Sequence, residues 1–90
     1  MNLKITKKFY KDLWKIKNIK VIEQIEKIII DFDSLDFVDL VWNYKIKKIV
    51  WYKKFYRLRM WDYRLWFSLD NNEIIFMRIL HRKEIYKYFP

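Results

Sequence analysis

Hydrophobic and polar residues alternate along consecutive stretches in the second half of the chain. In the first stretch, the apolar residues Tyr56, Leu58 and Met60 alternate with Arg57 and Arg59. In the second stretch, Tyr63, Leu65 and Phe67 alternate with Arg64, Trp66 and Ser68. Successive side chains of a strand point to opposite faces, so each pattern predicts a β-strand with one apolar face and one basic or polar face.

A third stretch, residues 73–80, is apolar on both sides for most of its length. In this stretch Ile74, Phe76, Arg78 and Leu80 alternate with Glu73, Ile75, Met77 and Ile79. A strand that is covered on both faces has this composition, so the pattern predicts a central strand. The connections are short: Trp61-Asp62 is the first, and Asp70-Asn71-Asn72, which favours a turn, is the second. The three stretches therefore predict an antiparallel meander.

The first third of the chain predicts a short strand, residues 2–5, followed by two amphipathic helices. Thr6 suits a helix N-cap, because its hydroxyl can accept hydrogen bonds from the free amides of the first turn. Apolar residues then recur at helical spacing: Phe9, Leu13 and Ile16 in the first helix, and Ile22, Ile25, Ile29 and Phe32 in the second. Asn18 either ends the first helix or caps the second. These stripes predict packing in a core rather than a ligand site.

The middle of the chain is less regular. Four carboxylates cluster around the end of the second predicted helix: Asp31, Asp33, Asp36 and Asp39. They lack the glycine turn and the terminal glutamate of a calcium-binding loop, and we expect them to form a solvated loop. Residues 40–52 are ambiguous, and within them Lys45 to Val50 leave two alternatives open, a loop or a strand that leads into the meander.

Length and composition limit the classes of protein to which this chain can belong. Ninety residues, of which 53% are hydrophobic, predict one folded domain, residues 1–90. No cysteine is present, which excludes disulfides and fits a reducing cytosol. No apolar run approaches the ~18 residues that a membrane span needs, and the N-terminus has no apolar signal-peptide segment. The net charge of +9 is typical of a domain that meets nucleic acid, an anionic membrane or an acidic protein.

The basic residues are concentrated in and before the meander. From Lys45 to Arg59 the chain has seven basic residues and no acidic one. Like charges that face each other on neighbouring strands cost roughly 0.2–1 kcal/mol per pair, and a bound polyanion removes that repulsion. We therefore expect six residues to contact a polyanion such as RNA: Lys45, Lys47, Lys48, Lys53, Lys54 and Arg78. The simpler alternative is a solvated face whose arginines pair with neighbouring carboxylates.

The residues that are present limit the chemistry. One histidine, no cysteine and no glycine exclude the common zinc clusters and glycine-rich phosphate loops, so we expect neither a metal nor a cofactor. RNA cleavage can proceed without either, because each ribose supplies its 2′-OH as the nucleophile. Fixed arginines can stabilise the charged transition state, and His81 can transfer protons. A structural role for His81 is the alternative when that residue is considered alone.

The chain resembles the RelE/ParE toxin superfamily, and within it the RelE-type toxins of type II toxin–antitoxin pairs. The resemblance covers nearly the whole chain and is carried by four segments: KKFYKDLWKI near the N-terminus, Tyr56-Arg57-Leu58-Arg59, Asp62-Tyr63-Arg64, and Ile79-Leu80-His81-Arg82-Lys83 with Tyr86 after it. It implies an α+β fold of order β-α-α-β-β-β with a short C-terminal turn. In this fold an N-terminal helical hairpin packs on a small antiparallel sheet.

The resemblance also implies a function and the residues that perform it. Such a toxin is a cytoplasmic, metal-independent endoribonuclease that cleaves mRNA on the ribosome, contacts 16S rRNA, needs no membrane and is held inactive by a cognate antitoxin. By position, Arg57 and Arg59 form the basic pair, and Arg64 stabilises the phosphate. His81 or Arg82 supplies the acid, and Tyr86 stacks or handles a proton. The general base stays open, since no acidic residue lies between Asp39 and Asp62.

Two other functions remain open at this stage. One is a ParE-like toxin that poisons DNA gyrase without cleaving RNA, and the other is a non-catalytic nucleic-acid-binding module. The arginine, histidine and tyrosine residues between positions 78 and 86 favour the nuclease, because a gyrase inhibitor does not need them.

The tryptophans depart from the family pattern. The chain has five tryptophans and no glycine, where about six glycines are expected at the usual ~7%. Trp51, Trp61 and Trp66 stand where relatives carry glycine. Trp61 lies in a two-residue hairpin turn, which favours the positive φ that glycine adopts freely. We therefore consider the hypothesis that these codons specify glycine in the source organism, and we assign no tryptophan to the site.

Overall fold

A computed structural model describes residues 2–49 and 54–84. The elements follow in the order β1 (Asn2–Ile5), α1 (Lys7–Lys15), α2 (Ile19–Ser34), α3 (Phe37–Asn43), β2 (Lys45–Lys48), β3 (Phe55–Met60), β4 (Tyr63–Asp70) and β5 (Glu73–His81). The strands form one sheet of order β1-β5-β4-β3-β2. The predicted α+β fold is therefore confirmed, with the meander β3-β4-β5 at its centre.

The helix boundaries follow from capping. The Thr6 hydroxyl accepts a hydrogen bond from the Phe9 amide at 3.1 Å and donates to the Met77 carbonyl oxygen at 2.9 Å. The Asn18 side chain accepts from the Lys20 amide at 3.0 Å, so Asn18 caps α2 rather than ending α1. Both caps satisfy amides that have no partner inside the helix. Thr6 also joins the start of α1 to β5.

The structure adds to the predicted order in the middle of the chain. The segment expected to be a solvated acidic loop instead contains α3, which begins after Asp36. The ambiguous region contains β2, which pairs with β3 in antiparallel fashion. β1 is parallel to β5, so the sheet is mixed rather than purely antiparallel. No helix in the described part of the chain has the length and apolar composition to cross a membrane.

The core lies between the helices and one face of the sheet, which we call the inner face. Phe32 of α2 is fully buried and packs edge-on against Phe67 and Phe76, with ring centroids 5.2 and 5.1 Å apart. Phe9 of α1 packs on Phe76 at 5.4 Å. Aromatic pairs at these distances add about 0.5–1.5 kcal/mol each beyond the burial of apolar area. The opposite, or outer, face of the sheet is turned away from α1 and α2.

A β-bulge decides which residues of β5 face inward. Trp66 is opposite Arg78, but Phe67 is opposite Phe76, so Met77 is an extra residue in β5. Strict alternation through residues 73–80 predicted Phe76, Arg78 and Leu80 on one face, and this prediction is wrong. Beyond the bulge the side chains exchange faces, and Ile79 joins the inner core.

Candidate nucleic-acid interface

Five basic residues share the outer face of the sheet, and we call them the basic face. Arg57 and Arg59 alternate in β3 with Leu58 and Met60, which are buried in the inner core. Cross-strand pairing extends this pair into two rows: Lys45, Arg59 and Arg64 form one, and Lys47 and Arg57 form the other. Residues paired across neighbouring strands point to the same side of a sheet. The predicted alternation therefore brings these cations together.

Arg64 lies among the positive charges of Arg57, Arg59 and Arg82. Its Nη1 donates to the carbonyl oxygens of Trp61 and Tyr63 at 3.0 and 2.9 Å, which fixes the guanidinium at the end of the hairpin. The pKa of Arg64 is lowered from its ordinary value, first by burial and then by the nearby charges of Arg59, Arg57 and Arg82. Four guanidinium groups that repel one another form a surface that an anion would stabilise.

Asp62 is the acidic residue that acts on Arg64 in the opposite direction, since its charge raises the pKa of that guanidinium. Its carboxylate Oδ1 lies 3.7 Å from Nε of Arg82, and both side chains are well exposed. The Arg82 amide donates to the Asp62 carbonyl oxygen at 2.7 Å, which holds residue 82 beside the β3–β4 turn. Sequence reasoning assigned Asp62 no role in the site. Its place in a two-residue turn next to Arg64 was the available signal.

His81 lies on the other side of the sheet from the basic face. It is opposite Tyr63, and the two rings meet edge-on with centroids 5.2 Å apart. Tyr63 packs against the inner core, and a cleft near the start of α2 includes His81, Tyr63 and Asn18. The β5 bulge causes this placement, because it reverses the faces of the residues that follow it. The structure therefore separates His81 from Arg64.

Arg78 is bound by a buried carboxylate. From β5 its Nε and Nη2 donate to the two carboxylate oxygens of Asp12 in α1, at 2.7 and 2.9 Å. Asp12 is 4% exposed and also accepts from the Ile79 amide at 3.2 Å. These contacts give Arg78 a structural role at the edge of β5, apart from the basic face. The sequence signal for Asp12 was a carboxylate three residues after Phe9 on the apolar stripe.

The remaining predicted contacts are scattered. Lys48 is opposite Tyr56, one position out of phase with the rows of the basic face. Lys54 pairs with Asp70 at 2.9 Å. Lys53 and Tyr86 lie outside the described residues. The structure therefore groups Lys45 and Lys47 with the arginines, but it does not place Lys48 or Lys54 there.

The β3–β4 turn has the backbone conformation that the tryptophan hypothesis needs. Trp61 has φ of 50°, in the left-handed region that glycine adopts without strain. Its side chain is 58% exposed, and those of Trp14 and Trp42 are more than 80% exposed. Large apolar side chains at such exposure contribute little to the core. The conformation at Trp61 supports glycine there, whereas Trp14 lies inside α1 and gives no such support.

Comparison with known proteins places this geometry in a family. Residues 3–86 match the family model of the ParE toxin of the type II toxin–antitoxin system parDE. Toxin RelE3 of Methanocaldococcus jannaschii is 38% identical over 96 aligned residues, which span both chains completely.

Solved structures agree with this match. In the RelB–RelE antitoxin–toxin complex from Methanococcus jannaschii, one chain aligns with a TM-score of 0.82 and 38% identity, covering 97% of this chain and 99% of that one. The Escherichia coli DinJ–YafQ complex matches with a TM-score of 0.63 at 17% identity, covering 99% and 98%, and supports the fold alone. The chain therefore belongs to the RelE/ParE superfamily of toxins from type II toxin–antitoxin systems.

Proposed function

We propose that this toxin is a metal-independent endoribonuclease that cleaves mRNA on the ribosome. The observation that carries the proposal is the convergence of Arg57, Arg59 and Arg82 around Arg64, whose pKa is lowered by burial and by those neighbours. A scissile phosphate placed there supplies the negative charge that offsets their repulsion. Charge that develops on the phosphorus oxygens in the transition state would be stabilised further.

The reaction uses a nucleophile from the substrate. The 2′-oxygen of the ribose gives its proton to solvent and attacks the adjacent phosphorus. The bond from phosphorus to the 5′-oxygen breaks, and that oxygen takes up a proton from solvent. The products are a 2′,3′-cyclic phosphate and a free 5′-hydroxyl, so this step consumes no water. Arg64 is fixed by the carbonyls of Trp61 and Tyr63, and it would need little reorganisation to bind the phosphorane.

Arg82 is the residue best placed to stabilise the leaving 5′-oxygen. It lies next to Arg64 and is held there by its backbone contact with Asp62. His81 faces Tyr63 on the inner side, so Arg82 rather than His81 takes this role in the proposal. Tyr86 keeps the stacking or proton-handling role that the family resemblance implies.

The basic face also implies partners. We propose that a cognate antitoxin covers it in the inactive complex, since the aligned relatives were solved as toxin–antitoxin complexes. On the ribosome, Lys45 and Lys47 would contact the backbones of mRNA and 16S rRNA. This activity places the free toxin in the cytoplasm with its substrate.

A translation assay with purified ribosomes tests the proposal. The wild-type toxin should cut mRNA in the ribosomal A site. Arg64→Ala should reduce the cleavage rate about 10²–10³-fold, as loss of one transition-state donor does in other enzymes. Arg64→Lys, which keeps the charge but loses the planar fork, should be intermediate. Lys54→Ala is the matched control, because Lys54 pairs with Asp70 away from the arginines, and it should keep wild-type activity.

A second function is favoured by the family model, which describes a ParE toxin. Intact mRNA together with gyrase–DNA adducts would support gyrase inhibition and overturn the nuclease proposal. RNA binding without either product would indicate a non-catalytic module.

A further inference from the structure

A cleft opens at the end of the sheet, where α2 and α3 meet β2 and β3. Its volume is about 390 Å³, within the range of small-molecule sites. The described residues that line it include no carboxylate, and two of them, Lys45 and Arg59, belong to the basic face. The cleft is therefore continuous with the surface on which the arginines converge.

Arg59 connects the cleft to Arg64. The two residues are direct partners across β3 and β4, so their Cα atoms lie about 4.5–5.5 Å apart. A nucleotide whose phosphate lies between these guanidinium groups has its base within reach of the cleft. This continuity argues for a ligand that carries both an anionic group and a flat ring.

The walls suit a nucleobase. Met60 is buried and gives an apolar floor, and the ring of Tyr44 forms a side. The Tyr44 hydroxyl donates to Asp31 and its ring packs on Phe32 with centroids 6.1 Å apart, so the ring is held in place beside the cleft. Aromatic and apolar side chains that stack on unpaired bases are common in single-stranded RNA recognition.

Two side-chain amides line the cleft, and they differ in whether their hydrogen-bonding groups are used within the protein. The Asn43 side-chain nitrogen donates to the Asp39 carbonyl oxygen at 2.8 Å, which holds that side chain to its own helix. Gln24 is half-buried on α2, and its amide has donors and an acceptor that can match the edge of a base. Gln24 is therefore the side chain suited to distinguish one base from another.

A second cleft, of about 270 Å³, lies on the other side of the Trp61 hairpin. It includes Asp62 and His81, and neither Arg59 nor Arg64 is among its described lining residues. This contrast favours the cleft beside Arg59.

We propose that the cleft beside Arg59 binds the nucleobase of a nucleotide next to the scissile phosphate, and that Gln24 reads that base. The inference rests on the proposed function, since it assigns a specificity pocket to the same site. Cleavage preference should therefore depend on Gln24, while the chemical step depends on Arg64.

The first test maps cleavage positions on ribosomes carrying mixed-codon mRNA. Gln24→Leu should lose or change the base preference at one position. Glu23→Leu, on the neighbouring exposed position of α2, is the control and should keep the wild-type preference. Each variant's melting temperature is measured first, and Gln24→Glu serves if Gln24→Leu does not fold. An unchanged preference in folded, active Gln24 variants overturns the inference.

The second test needs no ribosome and no cleavage. The four nucleoside 5′-monophosphates are titrated into the toxin, and the side-chain amide signals of Gln24 are followed by NMR. We expect base-dependent shifts of these signals, and no comparable shift with ribose 5-phosphate. Shifts at His81 alone overturn the inference. Shifts at Gln24 in a toxin that leaves mRNA intact would support the pocket and overturn the nuclease proposal.

Discussion

Asp12 and Arg78 form a bidentate ion pair that ties α1 to β5, with Nε and Nη2 of Arg78 at 2.7 and 2.9 Å from the carboxylate oxygens. The side chains are 4% and 16% exposed, so both charges are largely removed from water. The same carboxylate accepts from the Ile79 amide, on the part of β5 that continues beyond its pairing with β1. The Asp12 carboxylate therefore gives a hydrogen-bond acceptor to a backbone amide on the edge of β5 that β1 does not cover.

Removing one partner of this pair should strongly destabilise the fold. Asp12→Asn keeps the shape of the side chain but removes the negative charge with which Arg78 forms its bidentate pair, at an expected cost of about 3–5 kcal/mol. Urea unfolding followed by tryptophan fluorescence measures this loss. Glu73→Gln is the control, because it breaks the more exposed Lys4–Glu73 pair and should cost less than about 1 kcal/mol. Equal losses for the two variants would contradict the structural role of Asp12.

The basic face should set the salt dependence of RNA binding. Each phosphate contact with single-stranded RNA contributes about 0.7 to the slope of log K against log salt concentration. Arg57→Gln should lower the slope by about that amount, measured by fluorescence anisotropy with a 2′-O-methyl RNA that cannot be cleaved. Lys54→Gln should leave the slope unchanged, because Lys54 is paired with Asp70. The assignment of the basic face is wrong if the two variants change the slope equally.

Tyr44 should make stability depend on alkaline pH. Burial raises the pKa of Tyr44 above its usual value of about 10, and the hydrogen bond to Asp31 and the charge of that carboxylate raise it further. The folded protein therefore keeps a proton that the unfolded chain loses. This stabilisation is complete below about pH 10 and declines as the pH rises through the folded pKa.

Tyr44→Phe tests this linkage. Urea unfolding between about pH 9 and 11 should show a shallower loss of stability for the variant than for the wild type. At neutral pH the variant should lose about 1 kcal/mol, because the hydrogen bond to Asp31 is gone. Tyr10→Phe, which removes a hydroxyl from an exposed tyrosine on α1, is the matched control. A wild-type pH slope in Tyr44→Phe would refute the assignment.

Glycine at position 61 should make the folded protein more stable than tryptophan does. The left-handed conformation at Trp61 costs a residue with a Cβ roughly 1–2 kcal/mol, and the exposed indole offsets little of it. Trp61→Gly should therefore raise the free energy of unfolding by about 1 kcal/mol, measured by urea titration. Trp14→Gly, in the helical backbone of α1, should instead lower it by about 0.5–1 kcal/mol. A loss of stability in both variants would contradict this account of the turn.

The recoding hypothesis has its own measurement. The intact mass of the protein made in its native host should be lower than the mass from the printed sequence if tryptophan codons are translated as glycine. Tryptophan at position 61 in that native protein would reject the hypothesis.

Local sequence signals predicted the parts of the fold that depend on neighbouring residues. Thr6 and Asn18 cap helices through amides two or three positions away, and strand alternation brought Arg57, Arg59 and Arg64 together. The bulge at Met77 escaped prediction, because it depends on the register of β5 against β4 rather than on β5 itself. Helix α3 is seven residues long, too short for a clear apolar period.

The same difference between local signals and long-range contacts explains which site residues could be predicted from the sequence. Arg64 needed only alternation and a tight hairpin to reach the basic face. The bulge moved His81 to the inner face and left Arg78 opposite Trp66, where its guanidinium reaches Asp12. The partner in that contact is 66 positions away in the chain. His81 and Arg82 are therefore adjacent in the sequence, but their side chains do not lie in one site.

The lysines of β2 have a consequence beyond RNA. β2 ends the described sheet, and an outermost strand offers backbone hydrogen-bonding groups to any chain that approaches. Lys45 and Lys47 on one face and Lys48 on the other give that strand like charges on both sides, so two toxin molecules repel each other along it. The charge that suits a polyanion thereby also protects the free protein from aggregation.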